Sequence, residues 1–228
     1  MTFPTRLGRI VGLLLLVHMA TGLIVPYMLL LPITPGPAGF LETAAGMAQQ
    51  VRLYVGILAV GGAFPIAISI LLWPHVRERT AQFGLWLLLL AGINFALQLI
   101  ENSHWLSMLS VSQAYAEAGS DTAALKAVGI AVRATWKWVH YSHIFVVVAW
   151  LFTFFCVAWR SALVPRALAL LGMATCVLHF IGITLPVFAG FQMPLPELFG
   201  IPLGAADLAL AGWLLLRGLR EPHVPVAA

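Results

Sequence analysis

Six apolar stretches of membrane-spanning length occupy most of this chain, at about residues 10–31, 51–73, 83–103, 138–159, 167–189 and 198–216. A run of roughly 20 apolar residues is long enough to cross the ~30 Å hydrocarbon core of a bilayer as a helix. In lipid every backbone N–H and C=O must find its partner inside the segment, so such runs specify helices and not irregular chain. The expected fold is all-α, an integral membrane bundle of six transmembrane helices forming a single domain over residues 1–228. Composition excludes the soluble alternative, because only 9% of the residues are charged where globular proteins carry about a quarter. Six spans need about 120 residues. The rest suffices for loops and one longer extramembrane segment, and not for a separate soluble domain.

The basic residues sort to one side of these stretches. Arg6, Arg9, Arg77, Arg79, Arg160, Arg166, Arg217 and Arg220 fall on one side, and Arg52, Lys126, Arg133 and Lys137 on the other. The positive-inside rule places the first group, and with it both termini, in the cytoplasm. Glu42, Glu101, Glu117, Asp121 and Glu197 fall outside or at the outer surface. Aromatic residues follow the span ends, with Tyr27, Tyr54, Trp105, Trp136, Trp138 and Tyr141 at the outer interface and Trp73, Trp86, Trp159 and Trp213 at the inner one. The formal charge of +4 therefore reflects cytoplasmic arginines, and no nucleic-acid signature accompanies it. Arg6 and Arg9 before the run from Ile10 imitate a signal peptide, but apolar character continues to Leu31 with no A-x-A site, which predicts an uncleaved first span.

Prolines punctuate the spans. The stretch Pro32-Ile33-Thr34-Pro35-Gly36-Pro37 ends the first, and Pro74 is expected to end the second. Residues 40–50 read as a short interfacial helix. The third span continues helically through Glu101 to about Glu117, and after a turn at Gly119-Ser120-Asp121 a second amphipathic helix, capped by Asp121 or Thr122, leads into the fourth. This makes a helical extension on the outer side. Gly22, Gly61 and Gly182 each lie four residues before a proline, a pattern that either eases a bend and exposes a carbonyl or reflects the frequency of both residues in membrane helices. Cys156 and Cys176 differ by about 9 Å in depth, beyond the ~7 Å Cα separation of a disulfide, so both are expected to be free packing residues.

Ionisable residues inside spans are the candidates for activity. Asn94, Gln98, Glu101 and Trp105 follow a four, three, four spacing that puts them on one helical stripe, with His104 on its flank. His140-x-x-His143 places two imidazoles on one face of the fourth span. If those spans pack as neighbours, Glu101, His104, His140 and His143 form a candidate metal set near the outer leaflet, since facing helices with carboxylate and imidazole ligands build zinc and iron sites. Haem between two histidines is the related alternative, with His18, His140, His143 and His179 at suitable depths. The plainer reading is packing, with Glu101 paired to Lys137 or Arg133. A further reading is a small-molecule binder or transport component whose path is lined by His18, Asn94, Gln98, His179 and the midplane Asp207. Serines 103, 107, 110, 112 and 142 lie near the histidines without a G-x-S-x-G elbow, which leaves enzymatic activity open, and a metal-assisted hydrolase of lipid-like substrates is the form it would take.

The stretches Leu106-Ser107-Met108-Leu109-Ser110-Val111-Ser112-Gln113-Ala114-Tyr115-Ala116, Trp138-Val139-His140-Tyr141-Ser142-His143 and Leu163-Val164-Pro165-Arg166-Ala167-Leu168-Ala169 resemble bacterial membrane proteins grouped as domain of unknown function 4386. The resemblance runs from Arg9 to Arg220 with the same six-span layout. It implies a bacterial inner-membrane protein embedded in the lipid bilayer and supplies no activity, cofactor or catalytic residue. Three functions stay open: a metal or haem centre, a small-molecule binder or transporter component, and a non-catalytic membrane scaffold.

Overall fold

All regular structure among the described residues is helical. The computed structural model describes residues 3–30, 39–118, 122–190 and 195–220. The proline-rich break at 32–37 and the turn at 119–121 lie outside the described residues, as do the side chains of Tyr27 and Glu197. The helices are α1 (Phe3–Met19), α2 (Phe40–Thr43), α3 (Ala48–Glu117), α4 (Ala123–Arg160), α5 (Arg166–Ala189) and α6 (Leu195–Arg217). Five helical segments are long and apolar enough to cross a bilayer, which makes this a multi-pass membrane protein.

The expected second and third stretches both fall in α3, which is 70 residues long. A straight helix of that length would reach about 105 Å, more than three times the hydrocarbon thickness. It is not straight. Pro74 does not end the helix as expected, because losing one N–H kinks a helix without obliging it to stop. The break comes at Thr80, with φ −143° and ψ 45°, where the Thr80 hydroxyl meets the Val76 carbonyl at 3.3 Å and the Ser161 hydroxyl at 3.2 Å. Beyond it the chain doubles back. Gly84 sits against Trp73 and Val76, and the Ser69 hydroxyl lies 3.4 Å from the Leu87 carbonyl.

Pro26 has a different local effect. Its ring would crowd the carbonyl of Gly22 in an α-helical turn. The chain after α1 instead widens into π-helical turns at Ala20–Ile24 and Pro26–Leu30, which relieves that crowding.

The helices group into two units. The first draws on residues within 1–17, 64–93 and 145–228. Here α5 packs on α6, and contacts are close because glycines permit them. A Cβ on Gly172 would overlap the Phe155 ring, one on Gly8 would overlap the backbone at Gly218 and Leu219, and Gly12 sits against Ala211 and Leu214. Between membrane helices, close van der Waals contact of this kind replaces the hydrophobic effect as the source of association. Cys156 and Cys176 are both free thiols, and Cys156 Sγ rests 3.4 Å from Met173 Sδ. α4 ends in a Schellman turn, in which Leu163 N–H donates to the Ala158 carbonyl at 2.9 Å and Ala162 N–H to Trp159 at 3.2 Å. That motif places Ala162 in left-handed backbone, φ 51°, where glycine is usual.

The second unit draws on residues 18–63 and 94–144. Its apolar core joins Phe40, Ala44, Val51, Tyr54, Leu58, Trp105, Met108 and Leu109, with Val132 and Trp136 packed against it. Tyr54 and Trp105 were expected as interfacial anchors and are instead buried in this core. Trp105 is in contact with Phe40, Tyr54 and Trp136, at centroid distances of 5.4, 5.6 and 4.9 Å. The expected helix at 40–50 is broken into α2, a 3-10 turn at Ala45–Met47 and the start of α3. Ser112 ties it down, accepting from Ala45 N–H at 2.9 Å and donating to the Leu41 carbonyl at 2.8 Å.

Candidate functional site

A chain of buried polar side chains runs through the second unit, built from the C-terminal part of α3 and the middle of α4. Asn94, Gln98, Glu101 and Trp105 keep the spacing of one helical face, and all four are buried. α4 presents His140 and His143, three apart, to the same carboxylate. His140 Nδ1 lies 2.9 Å from Glu101 Oε1, and His143 Nδ1 lies 2.8 Å from Oε2. Each carboxylate oxygen therefore has its own imidazole, at charge-assisted hydrogen-bond length. Glu101 is 4% exposed and His143 8%, whereas the His140 side chain is 40% exposed. His143 continues the chain inward, with Nε2 at 3.0 Å from Asn94 Oδ1.

Proton counting limits the states this arrangement can hold. His140 donates through Nδ1–H, which leaves its Nε2 as a bare acceptor in the neutral ring. His143 faces the carboxylate with one nitrogen and the Asn94 amide with the other. If Asn94 presents its oxygen, His143 is the doubly protonated imidazolium. If the amide is turned, its NH₂ donates to a neutral His143. The two states differ by one proton and one amide flip, with the heavy atoms in place. In the first, the positive His143 and negative Glu101 cancel inside the protein, as a buried charge requires.

Aromatic side chains surround this trio. Trp136 stacks on the His140 ring, 5.3 Å between centroids and 21° between planes. Tyr54 is close enough to Glu101 to interact with it electrostatically. The Trp105 and Trp136 indole N–H groups are buried without a hydrogen-bond partner among the described residues. Below the trio, Gln98 donates to Asn102 at 3.0 Å, and Asn102 donates to the Val55 carbonyl at 3.2 Å, so these amides lock α3 on itself. His18 Nδ1 meets the Gly61 carbonyl at 3.1 Å. That carbonyl is available because the residue four further on is Pro65, which has no N–H to offer it. His18 is also within electrostatic reach of His143.

The four-residue metal set expected from the sequence is not assembled. His104 Nδ1 turns back to the Ile100 carbonyl of its own helix at 2.9 Å, on the exposed side, and both Glu101 oxygens are taken by imidazole N–H groups. Among the described residues no group of three or more His, Cys, Asp or Glu side chains is arranged to hold a metal ion. Glu101 pairs with the two histidines and not with Lys137 or Arg133, and Lys137 lies over the Trp138 ring instead. Ser103, Ser107, Ser110 and Ser142 each donate to a carbonyl of their own helix, so none is poised as a nucleophile. The residues of the expected ligand path fall in both units. His18, Asn94 and Gln98 belong to the second unit, and His179 and Asp207 to the first. Asn102 and Tyr54 were missed by sequence reasoning. Asn102 lies four residues after Gln98, a spacing that does signal a hydrogen-bonded pair.

Compared with known proteins, the family model described as Domain of unknown function (DUF4386) matches residues 10–218. No curated protein and no solved structure matches the chain.

Proposed function

The chain belongs to the Domain of unknown function (DUF4386) family, which supplies no activity, and we propose that its functional centre is the Glu101–His140–His143 trio, acting as a proton-exchanging site inside the membrane. We place that site in a single six-span domain of a bacterial inner membrane, with both termini cytoplasmic and the 101–137 extension outside. The sorting of arginines supports that orientation.

One observation carries the reading: a continuous hydrogen-bonded chain leads from the half-exposed His140 through Glu101 to the buried His143 and Asn94. Carboxylate and imidazole chains within membrane spans are the side-chain chemistry of proton relays. A proton arriving at His140 Nε2 can be matched by release of Nδ1–H to Glu101 Oε1, so the added charge is neutralised at the carboxylate while His143 Nδ1–H stays bonded to Oε2 and no residue changes place. The ligand served by such a site is a small or lipid-like molecule that gives or takes a proton near the outer leaflet.

The test is infrared difference spectroscopy on the protein in lipid vesicles across a pH step. Carboxylate and imidazole bands are expected to change together, and Glu101→Gln is expected to abolish the imidazole change as well as its own. Imidazole bands that shift unaltered in Glu101→Gln would end the relay reading.

A second reading rests on His140 alone. A carboxylate holding Nδ1 leaves Nε2 as the ring's remaining nitrogen, the pairing usual in histidine ligands to metals. Were haem or iron bound, His140 would supply one nitrogen ligand to it, whereas a zinc site would ask for three protein ligands. Elemental analysis and an absorption spectrum of wild type and His140→Ala test it, and a spectrum with no bound chromophore or metal in either sinks it.

A further inference from the structure

We propose that Asp207, in the first unit and separate from the trio, is a proton-binding site: a carboxylic acid held uncharged between α5 and α6. Asp207 is 6% exposed. Among the described residues its buried Oδ1 has no hydrogen-bond partner and the acid forms no ion pair. An isolated carboxylate out of water is strongly disfavoured, and the group neutralises unless something compensates its charge.

The neighbours identify what compensates it. Gly200, Leu203, Gly204, Asp207 and Leu210 lie along one face of α6. On α5, Gly172, Thr175, Cys176, His179 and Ile183 share one helical face by their spacing. Cys176, buried, is the titratable group within electrostatic reach of Asp207. His179 lies further along, its ring against Gly200. The Thr175 hydroxyl is committed to the Gly172 carbonyl at 2.9 Å. On that face of α5 the polar groups are one thiol, one committed hydroxyl and, further along, one imidazole, and the rest is apolar. This set lacks the six or more oxygen ligands that a hard cation such as Ca²⁺ takes, and no group of metal-holding side chains forms among the described residues. A proton needs no further ligand and fits.

An uncharged acid in apolar surroundings has a distinguishing reaction. Its O–H adds across one C=N bond of a lipid-soluble carbodiimide: the oxygen bonds to the central carbon and the proton passes to nitrogen. The acyl group then migrates to nitrogen, giving an N-acylurea that keeps every atom of the reagent. The full-length protein in phosphatidylcholine vesicles is treated with dicyclohexylcarbodiimide, and the adduct is located by peptide mass mapping. The expected result is one reagent mass on the Asp207 peptide, lost in Asp207→Asn while adducts elsewhere persist, and absent when a water-soluble cationic carbodiimide is used. Asp207 left unmodified in the wild type, or modified equally by the water-soluble reagent, overturns the proposal. Mapping on the wild type decides the matter even if the Asn variant fails to fold. Because the infrared test reads Glu101 and its histidines, failure there and failure here are separate results.

Discussion

Glu101 holds two imidazoles at nearly equal distance, yet the two bonds are expected to differ in strength because their burial differs. The His143 bond is 2.8 Å long between side chains 10% and 5% exposed. A buried hydrogen bond to a charged group contributes about 1.5–3 kcal/mol. The His140 bond is 2.9 Å long, but His140 is 40% exposed. Solvent screening brings a pair of that kind down to about 0–1 kcal/mol. A double-mutant cycle separates them. Glu101→Leu is combined with His143→Phe in one cycle and with His140→Phe in the other, and reversible unfolding is followed in mixed detergent micelles. The unpaired Asn94 left by His143→Phe is present in both the single and the double variant, so it cancels from the coupling term. The coupling between Glu101 and His143 is expected to exceed that with His140 by about 1–2 kcal/mol, roughly a factor of ten in equilibrium constant. Equal couplings, or a larger one with His140, would refute the argument that burial ranks the two bonds.

Other expectations follow from single contacts. His104→Ala is expected to change stability by less than about 0.5 kcal/mol, since the ring bonds only its own helix; a loss above 1 kcal/mol in the same unfolding assay would show an unrecognised partner. Gly172→Ala puts a methyl into the Phe155 ring and is expected to cost about 1–3 kcal/mol, with Phe155→Leu recovering part of it; no recovery would locate the damage elsewhere. Ala162→Gly at the left-handed end of α4 is expected to raise the unfolding free energy by about 1 kcal/mol, and a decrease would count against the Schellman geometry. His18→Phe strands the Gly61 carbonyl and is expected to cost about 1–3 kcal/mol, a loss that should appear in unfolding titrations.

The spans were legible because lipid enforces one rule on every backbone group, and the apolar runs at 138–159, 167–189 and 198–216 each lie inside one helix. The place where the chain doubles back was not legible. Pro74 is the obvious breaker, yet the break falls at Thr80, whose hydroxyl meets that of Ser161, 81 residues away. Spacing alone identified the buried stripe from Asn94 to Trp105. It also put Glu101-x-x-His104 and His140-x-x-His143 on comparable helix faces, and there it could not separate them. A face tells which residues are adjacent on one helix. It does not tell that His104 will turn to Ile100 while His143 turns to Glu101, because that choice depends on which neighbouring helix fills the space beside each ring. The oxygen Oδ1 of Asp207 belongs to the same class: the sequence shows a carboxylate within an apolar run, and only packing shows that Oδ1 has no hydrogen-bond partner among the described residues.

The bond between His18 and the Gly61 carbonyl bears on how the chain is assembled. Pro65 removes one rung from the ladder of α3, and the carbonyl it strands cannot find water in hydrocarbon. The missing donor comes from a segment made earlier. As synthesis proceeds from the N-terminus, the residues around His18 are in the bilayer before Gly61 arrives, and the late helix completes its own hydrogen bonding only by lying against the early one. A helix with a vacancy of this kind is selective about its neighbour: it discriminates against lipid, and against any helix that lacks a donor at that depth. Proline thereby acts as an address as well as a bend.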